Sequence, residues 1–394
     1  MKKRCFNLTP PAVAARCIIA VLALLAVLLA RPAAAIGTIA TAAIMIDATT
    51  GVVLFEKAAD VPMAPASMSK IMTVYLVFER LRNASLSLDD TFWVSENAWR
   101  KGGARSGGST MFLLPGKQVR VEDLLRGIIV QSGNDACIVV AEALASSELT
   151  FAEQLTERGR ELGLTASTFR NSTGWPDPEH RMTPRDLATL ALRTINDFPE
   201  YYHYYAEQAF KYNGIRQLNR NPLLYSSIGV DGLKTGHTEA SGYGLTASAV
   251  RADRRLILVV NGLPSRKARR TESKRLLDWG FREFGNYALF KAGEKVETAG
   301  VWLGQRPTVT LITANDVLIT LPRNARHKMV VTVTFEGPVP APIKRNDVIA
   351  KAVISAPGQE PIEVPLLAAE DVAQLGLVGR LSATLKSILW GDDR

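Results

Sequence analysis

Strand-like segments lie on both sides of a long helical section, and this arrangement restricts the possible folds more than any other feature. Residues 42–57 predict a hairpin of two strands around a glycine-containing turn. Three further strands, with short connections, are predicted over 229–236, 243–250 and 255–263. Between the two groups, residues 66–200 place apolar side chains mostly at helical spacing. These patterns predict an α+β fold in which helices pack on one antiparallel sheet built from both ends of the segment.

The sequence changes character after about residue 285. A helix at 271–284 is expected to close the first domain, 36–284. Short β-rich runs separated by Gly, Pro, Asn and Asp then predict a smaller all-β domain at 285–368. Residues 369–394 are expected to contain an amphipathic helix, because the apolar residues of 375–390 fall within an arc of about 120°.

Residues 1–35 have the composition of a secretory signal peptide. A positively charged stretch precedes an uncharged run at 17–30, and alanines at 33–35 would suit cleavage. The run is shorter than the roughly 20 residues that a membrane-spanning helix needs. An uncleaved signal anchor is the alternative interpretation. We therefore expect export, and a mature chain that begins near residue 36.

The charge and the cysteines outside this segment narrow the functional classes. Five of the 47 basic residues lie within residues 1–35, which leaves 42 basic against 38 acidic residues, a net charge of +4. No basic cluster is interleaved with aromatic residues, so the sequence does not indicate a nucleic-acid partner. Cys137 is the only cysteine left after cleavage, which excludes an intramolecular disulfide and is compatible with a bacterial periplasm. Cys137 itself is expected to be a small buried apolar residue.

Ser67 and Lys70 stand in "PASMSKIMT", where a proline-containing loop becomes a helix-like run. Residues three apart share a helix face, so both side chains can point into one cleft. A serine hydroxyl is a weak nucleophile until a base takes its proton, and a lysine serves only if its pKa falls by about 3 from about 10.4. Alone the pair is weak evidence, because an ordinary helix start with a surface lysine gives the same pattern.

Two further tripeptides accompany this pair. Residues 132–134 are Ser-Gly-Asn, which alone would be an ordinary turn between helices. Residues 234–236 are Lys-Thr-Gly, which alone would be a strand end with an exposed lysine. All three motifs in this order should arise by chance in about one chain in a hundred or fewer. The set therefore predicts a serine-lysine catalytic site.

The ordered motifs S-x-x-K, S-x-N and K-T-G resemble the signature of penicillin-binding proteins and class A β-lactamases. The similarity continues in "KYNGIRQLNRN" (211–221), "VDGLKTGHTEASGYGLTASA" (230–249) and "ESKRLLDWGF" (272–281). A β-rich second domain and an amphipathic terminal helix fit the same family. The chain thus resembles a low-molecular-mass penicillin-binding protein, specifically a serine-type D-alanyl-D-alanine carboxypeptidase. Its fold would be the serine β-lactamase/transpeptidase-like one.

The resemblance implies a role for the residues of the first two motifs. Ser67 would attack the carbonyl of the penultimate D-alanine of a peptidoglycan pentapeptide stem, and Lys70 would accept its proton. Ser132 would relay a proton toward the leaving D-alanine. Asn134 would hydrogen-bond the substrate amide and help to hold Lys70. β-Lactam antibiotics would acylate the same serine, and neither a cofactor nor a metal is implied.

The resemblance also implies how the substrate carboxylate is bound. Lys234 would lower the pKa of Lys70 and attract the carboxylate, while Thr235, next to Gly236, would donate a hydrogen bond to it. The backbone N–H groups of Ser67 and His237 would form the oxyanion hole. Two arginines complete the expected set, each with an alternative. Arg269 matches a family arginine that helps bind the terminal carboxylate, although Arg270 is adjacent, whereas Arg220 is a weaker candidate that is otherwise a structural hydrogen-bond donor.

Other functions on the same fold remain open at this point. The loop 171–188 matches the general shape of the family but cannot be assigned residue by residue. A class A β-lactamase would carry an E-x-x-x-N stretch between the second and third motifs, and residues 135–233 contain none. A D,D-endopeptidase is not excluded. An inactive peptidoglycan-binding scaffold is disfavoured because Ser67, Lys70 and Lys234 are all present. A zinc peptidase is disfavoured because the four histidines lack zinc-binding spacing.

The terminal helix has two interpretations. It could pack on the β-domain, or it could lie in a membrane interface with Arg380 and Lys386 near the headgroups. We expect the second, which would hold the exported protein on the outer face of the bacterial inner membrane.

Overall fold

The computed structural model describes residues 36–382. The predicted signal peptide, residues 1–35, lies outside this range. Contacts divide the chain into an N-terminal unit that ends at Ile39 and a second unit that begins at Ala40. Residues 36–39 form neither helix nor strand, and the rest of the description concerns the second unit.

The first part of the second unit contains nine strands and seven α-helices. The strands are β1 Ala42–Asp47, β2 Val53–Lys57, β3 Thr91–Trp93, β4 Gln118–Arg120, β5 Ala209–Tyr212, β6 Ile215–Leu218, β7 Val230–Thr238, β8 Gly242–Arg251 and β9 Arg254–Leu263. Four of these strands, β3 to β6, were not predicted from the sequence. The helices are α1 Lys70–Arg82, α2 Glu96–Gly102, α3 Val121–Arg126, α4 Asn134–Ala145, α5 Glu148–Glu161, α6 Pro184–Asp197 and α7 Arg266–Glu283. Shorter 3₁₀ turns connect several of them.

Five of these strands form one antiparallel sheet in the order β2-β1-β9-β8-β7. All six residues of β1 are buried, and β1 pairs with a strand on either side. The predicted sheet, assembled from the two ends of the segment, is thereby confirmed. Strand β7 lies at the edge of the sheet, so one side of its backbone has no neighbouring strand within the sheet. That free edge carries the third motif.

Helix α1 lies inside the core of this domain. Ten of its thirteen residues are buried, and they include Lys70 beside large apolar side chains such as Phe78. The chain enters α1 through a 3₁₀ turn, Ala66–Ser69, and leaves it after Arg80 and Arg82, whose charges suit a helix C-terminus. The helix start therefore places Lys70 in the interior, whereas Ser67, in the turn before it, remains partly exposed.

The all-β domain follows α7 without a linker, because strand β10 begins at Phe284. Its strands are β10 Phe284–Phe290, β11 Lys295–Trp302, β12 Thr308–Thr313, β13 Val317–Pro322, β14 Val330–Thr334, β15 Val339–Pro340, β16 Val348–Ser355 and β17 Ile362–Ala368. Six form a sheet in the order β14-β16-β17-β12-β11-β15, and β10 pairs with β13. Along these strands, side chains that face the small core of the β-domain alternate with side chains that face solvent, as the β-rich runs predicted.

A buried polar network joins the two domains. Asp47 has no exposed surface, and its carboxylate accepts a hydrogen bond from Arg254 Nε at 2.7 Å and one from Asn286 Nδ2 at 3.2 Å. The hydroxyls of Thr50 and Thr320 lie 2.5 Å apart beside it. Since Asn286 and Thr320 belong to the β-domain strands β10 and β13, the network connects the central sheet to the second domain.

The terminal segment continues along the β-domain before it becomes helical. Val372 bridges Ile343, and Gln374 bridges Gly304. The helix expected within 375–390 begins at residue 377 and is described to residue 382, and the remainder lies outside the described residues. Its first apolar side chains, Leu377, Val378 and Leu381, are 73%, 83% and 67% exposed. Within 36–382 no helix has both the length and the apolar character needed to span a membrane.

Candidate active site

The Ser67–Lys70 pair lies at the point where the 3₁₀ turn becomes helix α1. Lys70 Nζ lies 2.9 Å from Ser67 Oγ, which is hydrogen-bonding distance. Ser67 faces a cavity, whereas Lys70 has no exposed surface behind it. The structure therefore brings the predicted nucleophile and the predicted base together, one open to substrate and the other shielded from water.

Two further acceptors surround the Lys70 amine. They are Asn134 Oδ1 at 2.8 Å and the backbone carbonyl of Thr173, which is also within hydrogen-bonding distance. A neutral amine has two N–H donors and one lone pair. The two carbonyl-type oxygens can only accept, so they take both N–H groups and leave the lone pair facing the Ser67 hydroxyl. This geometry suits a base that removes the serine proton.

The surroundings of Lys70 favour the neutral amine that this role needs. Burial lowers the pKa of Lys70 from 10.5 to about 8, and the positive charge of Arg220 contributes a smaller part of this decrease. Burial also lowers the pKa of Lys234, and repulsion from Lys70 adds to this effect. Burial is thus the largest cause of the decrease in the Lys70 pKa, as expected from the residues, and Arg220 supplies the nearby positive charge that the resemblance attributed to Lys234.

The second motif is positioned by an irregular helix. A π-helical turn, Gly127–Gln131, ends at Ser132, which has a left-handed backbone with φ of 66°, and α4 begins two residues later. Asp135 fixes the neighbouring loop by accepting hydrogen bonds from the backbone N–H groups of Met111 and Leu113. Ser132 is 2% exposed and lines the cavity, and its hydroxyl has no hydrogen-bond partner within the described chain. A free hydroxyl at this place can pass a proton to or from a substrate.

The third motif lies on edge strand β7, next to the Ser67 turn. Gly236 permits this approach, because a Cβ there would lie 2.7 Å from the Pro65 carbonyl oxygen. Thr235 lines the cavity, whereas Lys234 is buried behind it with Nζ 3.3 Å from the Thr235 carbonyl oxygen. His237 also lines the cavity, and burial and nearby arginines lower its pKa. The side chains of this strand can therefore form one wall of a cavity that binds a peptide.

The loop that could not be assigned from the sequence contributes directly to the site. Asn171 Oδ1 accepts hydrogen bonds from the backbone N–H groups of Thr173, Gly174 and Trp175 at 3.2, 2.7 and 3.0 Å. This turn aims the Thr173 carbonyl at Lys70. Gly174 has φ of 77°, and a Cβ there would lie 2.0 Å from the Ala66 carbonyl oxygen. Sequence reasoning missed Thr173 because it acts through its backbone, although Asn-Ser-Thr-Gly is a recognisable turn signal.

The cavity in front of Ser67 has a volume of about 810 Å³. Arg220 and Arg269, the two predicted arginines, both line it. Arg269 is 7% exposed, and its guanidinium lies 3.4 Å from the carbonyl oxygens of Gly236 and Gly244. Arg220 donates to Ser109 Oγ at 2.6 Å. Arg270 is exposed at the mouth, so Arg269 is the better placed of the two neighbours to meet a carboxylate beside Thr235.

Other groups near Lys70 are unsuited to nucleophilic or general-base chemistry. Cys137 is fully buried, and burial raises the pKa of its thiol to about 12, as expected for an unreactive residue. Glu148 accepts hydrogen bonds from Ser172 and lines a different cavity. No Asp or Glu belongs to the described lining of the Ser67 cavity. The geometry is thus compatible with Ser67 as nucleophile and Lys70 as its base.

Residues 30–265 match the model of the D-alanyl-D-alanine carboxypeptidase family, and residues 284–374 match that of the penicillin-binding protein 5 C-terminal domain. The D-alanyl-D-alanine carboxypeptidase DacC of Escherichia coli is 40% identical over 345 residues, which cover 87% of this chain and 86% of that protein. DacF of Bacillus subtilis is 32% identical over 353 residues, 88% of this chain and 89% of that protein.

Solved structures are similar over the same extent. The structure of penicillin-binding protein 5 from Haemophilus influenzae matches with a TM-score of 0.76 and 34% identity. The match covers 86% of this chain and 99% of that one. The similarity therefore includes both the helix-and-sheet domain and the β-domain.

Proposed function

This chain belongs to the D-alanyl-D-alanine carboxypeptidase family, and we propose that Ser67 is the nucleophile with which it removes a terminal D-alanine. Enzymes of this kind are serine-type peptidases that act on peptidoglycan stems ending in D-Ala-D-Ala and react with β-lactams. The observation that carries the assignment is the Lys70 amine, held by Asn134 and Thr173 with its third direction toward Ser67 Oγ.

The acylation step follows from this arrangement. Ser67 Oγ attacks the carbonyl carbon of the penultimate D-alanine while its proton passes to Lys70 Nζ. The resulting oxyanion is stabilised by the backbone N–H groups of Ser67 and His237. The proton is then delivered to the nitrogen of the departing D-alanine, and the unpartnered Ser132 hydroxyl is the relay. The C–N bond breaks, and an acyl ester on Ser67 remains.

The opposite wall of the cavity binds the substrate carboxylate. Thr235 donates a hydrogen bond to it, and Arg269 and Lys234 supply positive charge from buried positions. Arg220 adds charge from the side of Ser109. This wall requires a free carboxylate next to the scissile bond, which explains the preference for a C-terminal D-alanine.

Hydrolysis of the acyl ester is expected to be slow with β-lactams. A class A β-lactamase activates the deacylating water with a glutamate, and the described lining of this cavity contains no carboxylate. Residues 135–233 also contain no E-x-x-x-N stretch. The acyl-enzyme formed with penicillin should therefore persist, as in a penicillin-binding protein.

Intact mass after addition of benzylpenicillin tests this assignment. The protein should gain the full mass of penicillin and keep it for many minutes, and Ser67→Ala should gain none. Ser87→Ala, a change at an exposed serine of a remote turn, is the matched control and should react like the unmodified protein. An adduct that vanishes within seconds while penicillin is consumed would indicate a β-lactamase. Absence of an adduct on the unmodified protein would indicate an inactive scaffold.

The location of the enzyme is part of the proposal. Residues 1–35 would direct export to the periplasm, where residues 36–284 form the catalytic domain and 285–368 the β-domain. The terminal segment, 369–394, would attach the protein to the outer face of the inner membrane. The exposed Leu377, Val378 and Leu381 support this role, because transfer of apolar side chains from water into a membrane interface is favourable in free energy.

Removal of residues 375–394 tests the attachment. The truncated protein should stay in solution when membranes are sedimented, whereas the longer chain should sediment with them. Penicillin labelling of Ser67 should persist in both forms and thus shows that the catalytic domain is folded. Sedimentation of the truncated form would contradict the membrane role.

A further inference from the structure

Five basic side chains line the Ser67 cavity, more than one substrate carboxylate requires. They are Arg220, Arg266, Lys267, Arg269 and Arg270. None of them has an ion-pair partner within residues 36–382, and the described cavity lining contains no Asp or Glu. Glu239 lies near enough to influence the pKa of His237, but it lines a neighbouring cavity. The proposed carboxylate site accounts for Arg269 and Arg220, which leaves three basic residues without a function.

The three remaining residues belong to the first turns of helix α7, where positive charge is unfavourable. The helix begins at Arg266, and Ser265 caps it by accepting a hydrogen bond from the Ala268 N–H at 3.0 Å. A helix N-terminus carries partial positive charge and normally favours acidic side chains, yet the first turn of α7 has none. A bound anion would offset this concentration of positive charge.

The buried arginine of this group has an unused donor. Arg269 is 7% exposed, and its Nε has no hydrogen-bond partner among the described residues. Burial, followed by the charge of Arg266, lowers the pKa of Arg269 to about 10. The same two causes lower the pKa of Arg220. The guanidinium groups are therefore close enough to repel one another, and an anion among them would relieve that repulsion.

The position of these residues defines which part of a substrate they meet. Arg266 lies one helical turn before Arg269 and thus on the same face of α7. Arg266, Lys267 and Arg270 are exposed, whereas Arg269 is buried beside Thr235. If the terminal carboxylate lies at Thr235 and Arg269, an anion at the outer three residues belongs to the leaving group, on the far side of the scissile bond from the acyl part.

We propose that Arg266, Lys267 and Arg270 form a second anion subsite, which favours D-alanyl peptides whose leaving amino acid carries an additional carboxylate. The proposal rests on the function proposed above, with Thr235 and Arg269 holding the first carboxylate. D-Alanine as leaving group has one carboxylate and leaves the subsite empty. The acidic peptide released from a cross-link between stems has the chemistry that fills it.

A pair of substrates that differ by one charge tests the subsite. Two peptides with the same acyl part would end in D-Ala-D-Glu and D-Ala-D-Gln, which are nearly identical in shape. For the full chain at low salt, kcat/KM should be about fivefold or more higher for the D-Glu peptide, and added salt should reduce the ratio. The triple substitution R266Q/K267Q/R270Q should bring the ratio to about one.

The control uses a basic residue of the same helix outside the cavity. Lys274 is exposed and paired with Asp278 at 2.6 Å, so Lys274→Gln should keep the ratio of the unmodified protein. A ratio near one in the unmodified protein, or a high ratio that survives the triple substitution, would overturn the proposal. Release of D-alanine from D-Ala-D-Ala and the penicillin adduct, measured on the same unmodified preparation, report separately on the proposed function. Failure of those two assays would reject that function, whereas their success with a ratio near one rejects the subsite alone.

Discussion

The rate at which Ser67 is acylated should depend on pH through the protonation of Lys70. The serine can lose its proton only to a neutral amine, so the rate follows the neutral fraction of Lys70. Burial lowers the pKa of this lysine from 10.5 to about 8. The rate constant for acylation should therefore rise with pH and level off above about pH 9.

The size of the change in acylation rate follows from the pKa of Lys70, which can be compared with the ordinary pKa of a lysine. With a pKa of about 8, roughly 9% of Lys70 is neutral at pH 7 and roughly 91% at pH 9, an increase of about tenfold. A lysine with the ordinary value of 10.5 would be about 0.03% neutral at pH 7 and about 3% at pH 9, an increase of about a hundredfold. The steepness of the profile between these points thus separates a buried base from an ordinary one.

The assay is the second-order rate constant for acylation by a chromogenic β-lactam, measured by stopped flow from pH 6 to pH 10. Three other groups near the site have shifted pKa values. Burial lowers the pKa of His237 below 6.5 and that of His180 to about 4, while the pKa of Cys137 is raised to about 12. Deprotonation of Lys234 would remove positive charge and weaken carboxylate binding, so it acts in the opposite direction and cannot mimic the rise.

Two results would refute this reasoning. A rate that keeps rising tenfold per pH unit to pH 10 would mean that Lys70 keeps an ordinary pKa despite its burial. A rate that does not change between pH 7 and pH 9 would mean that another group takes the serine proton. Circular dichroism at each pH serves as the control that the protein remains folded.

Three substitutions away from the catalytic residues test the supporting structure. Gly174→Ala should lower the free energy of unfolding by more than about 2 kcal/mol, because the new Cβ meets backbone, whereas Gly163→Ala, also at positive φ but in open space, should cost about 1 kcal/mol. Asn171→Ala should lower the free energy of unfolding by about 2 kcal/mol and slow acylation about tenfold, because three N–H groups lose their acceptor. Asn171→Asp keeps the acceptor and should have smaller effects on both. Asp47→Ala should cost about 3–5 kcal/mol by leaving Arg254 buried without its partner. Thermal melting measures the changes in stability, and acylation by a chromogenic β-lactam measures the slower reaction of Asn171→Ala. Equal melting temperatures for the two glycine variants, for the two Asn171 variants, or for Asp47→Ala and the unmodified protein would contradict the respective prediction.

The central sheet could be predicted from the sequence because its strands carry strong local signals. The runs at 42–57 and 229–263 are apolar, bounded by turn residues, and match strands β1, β2, β7, β8 and β9 closely. The same holds for the β-rich runs after residue 285. The three motifs could be found because each depends on side chains at fixed spacing, and the fold brings all of them to one cavity wall or directly behind it.

The rest of the site depends on features that spacing does not carry. Thr173 acts through its carbonyl group, so its side chain gives no sign of the role. The left-handed backbone of Ser132 follows from a π-helical turn, which has no simple sequence pattern. The effect of burial on Lys70 depends on the packing of the whole domain around helix α1. The contribution of Arg266 to the cavity becomes visible only when α7 is placed beside β7.

The pairing of strand β1 with β9 has a consequence for the order of folding. Residues 42–47 are fully buried against 256–261, a partner more than two hundred positions later in the chain. Loop closure over such a distance is entropically costly, and folding slows as contacts become more distant in sequence. During synthesis the N-terminal part of the chain appears first. Strand β1 would then expose an apolar edge until residue 261 has been made, and such an exposed edge promotes aggregation. Fragments that end before β9 should therefore be unable to fold, and the full chain should depend on chaperones while it is incomplete.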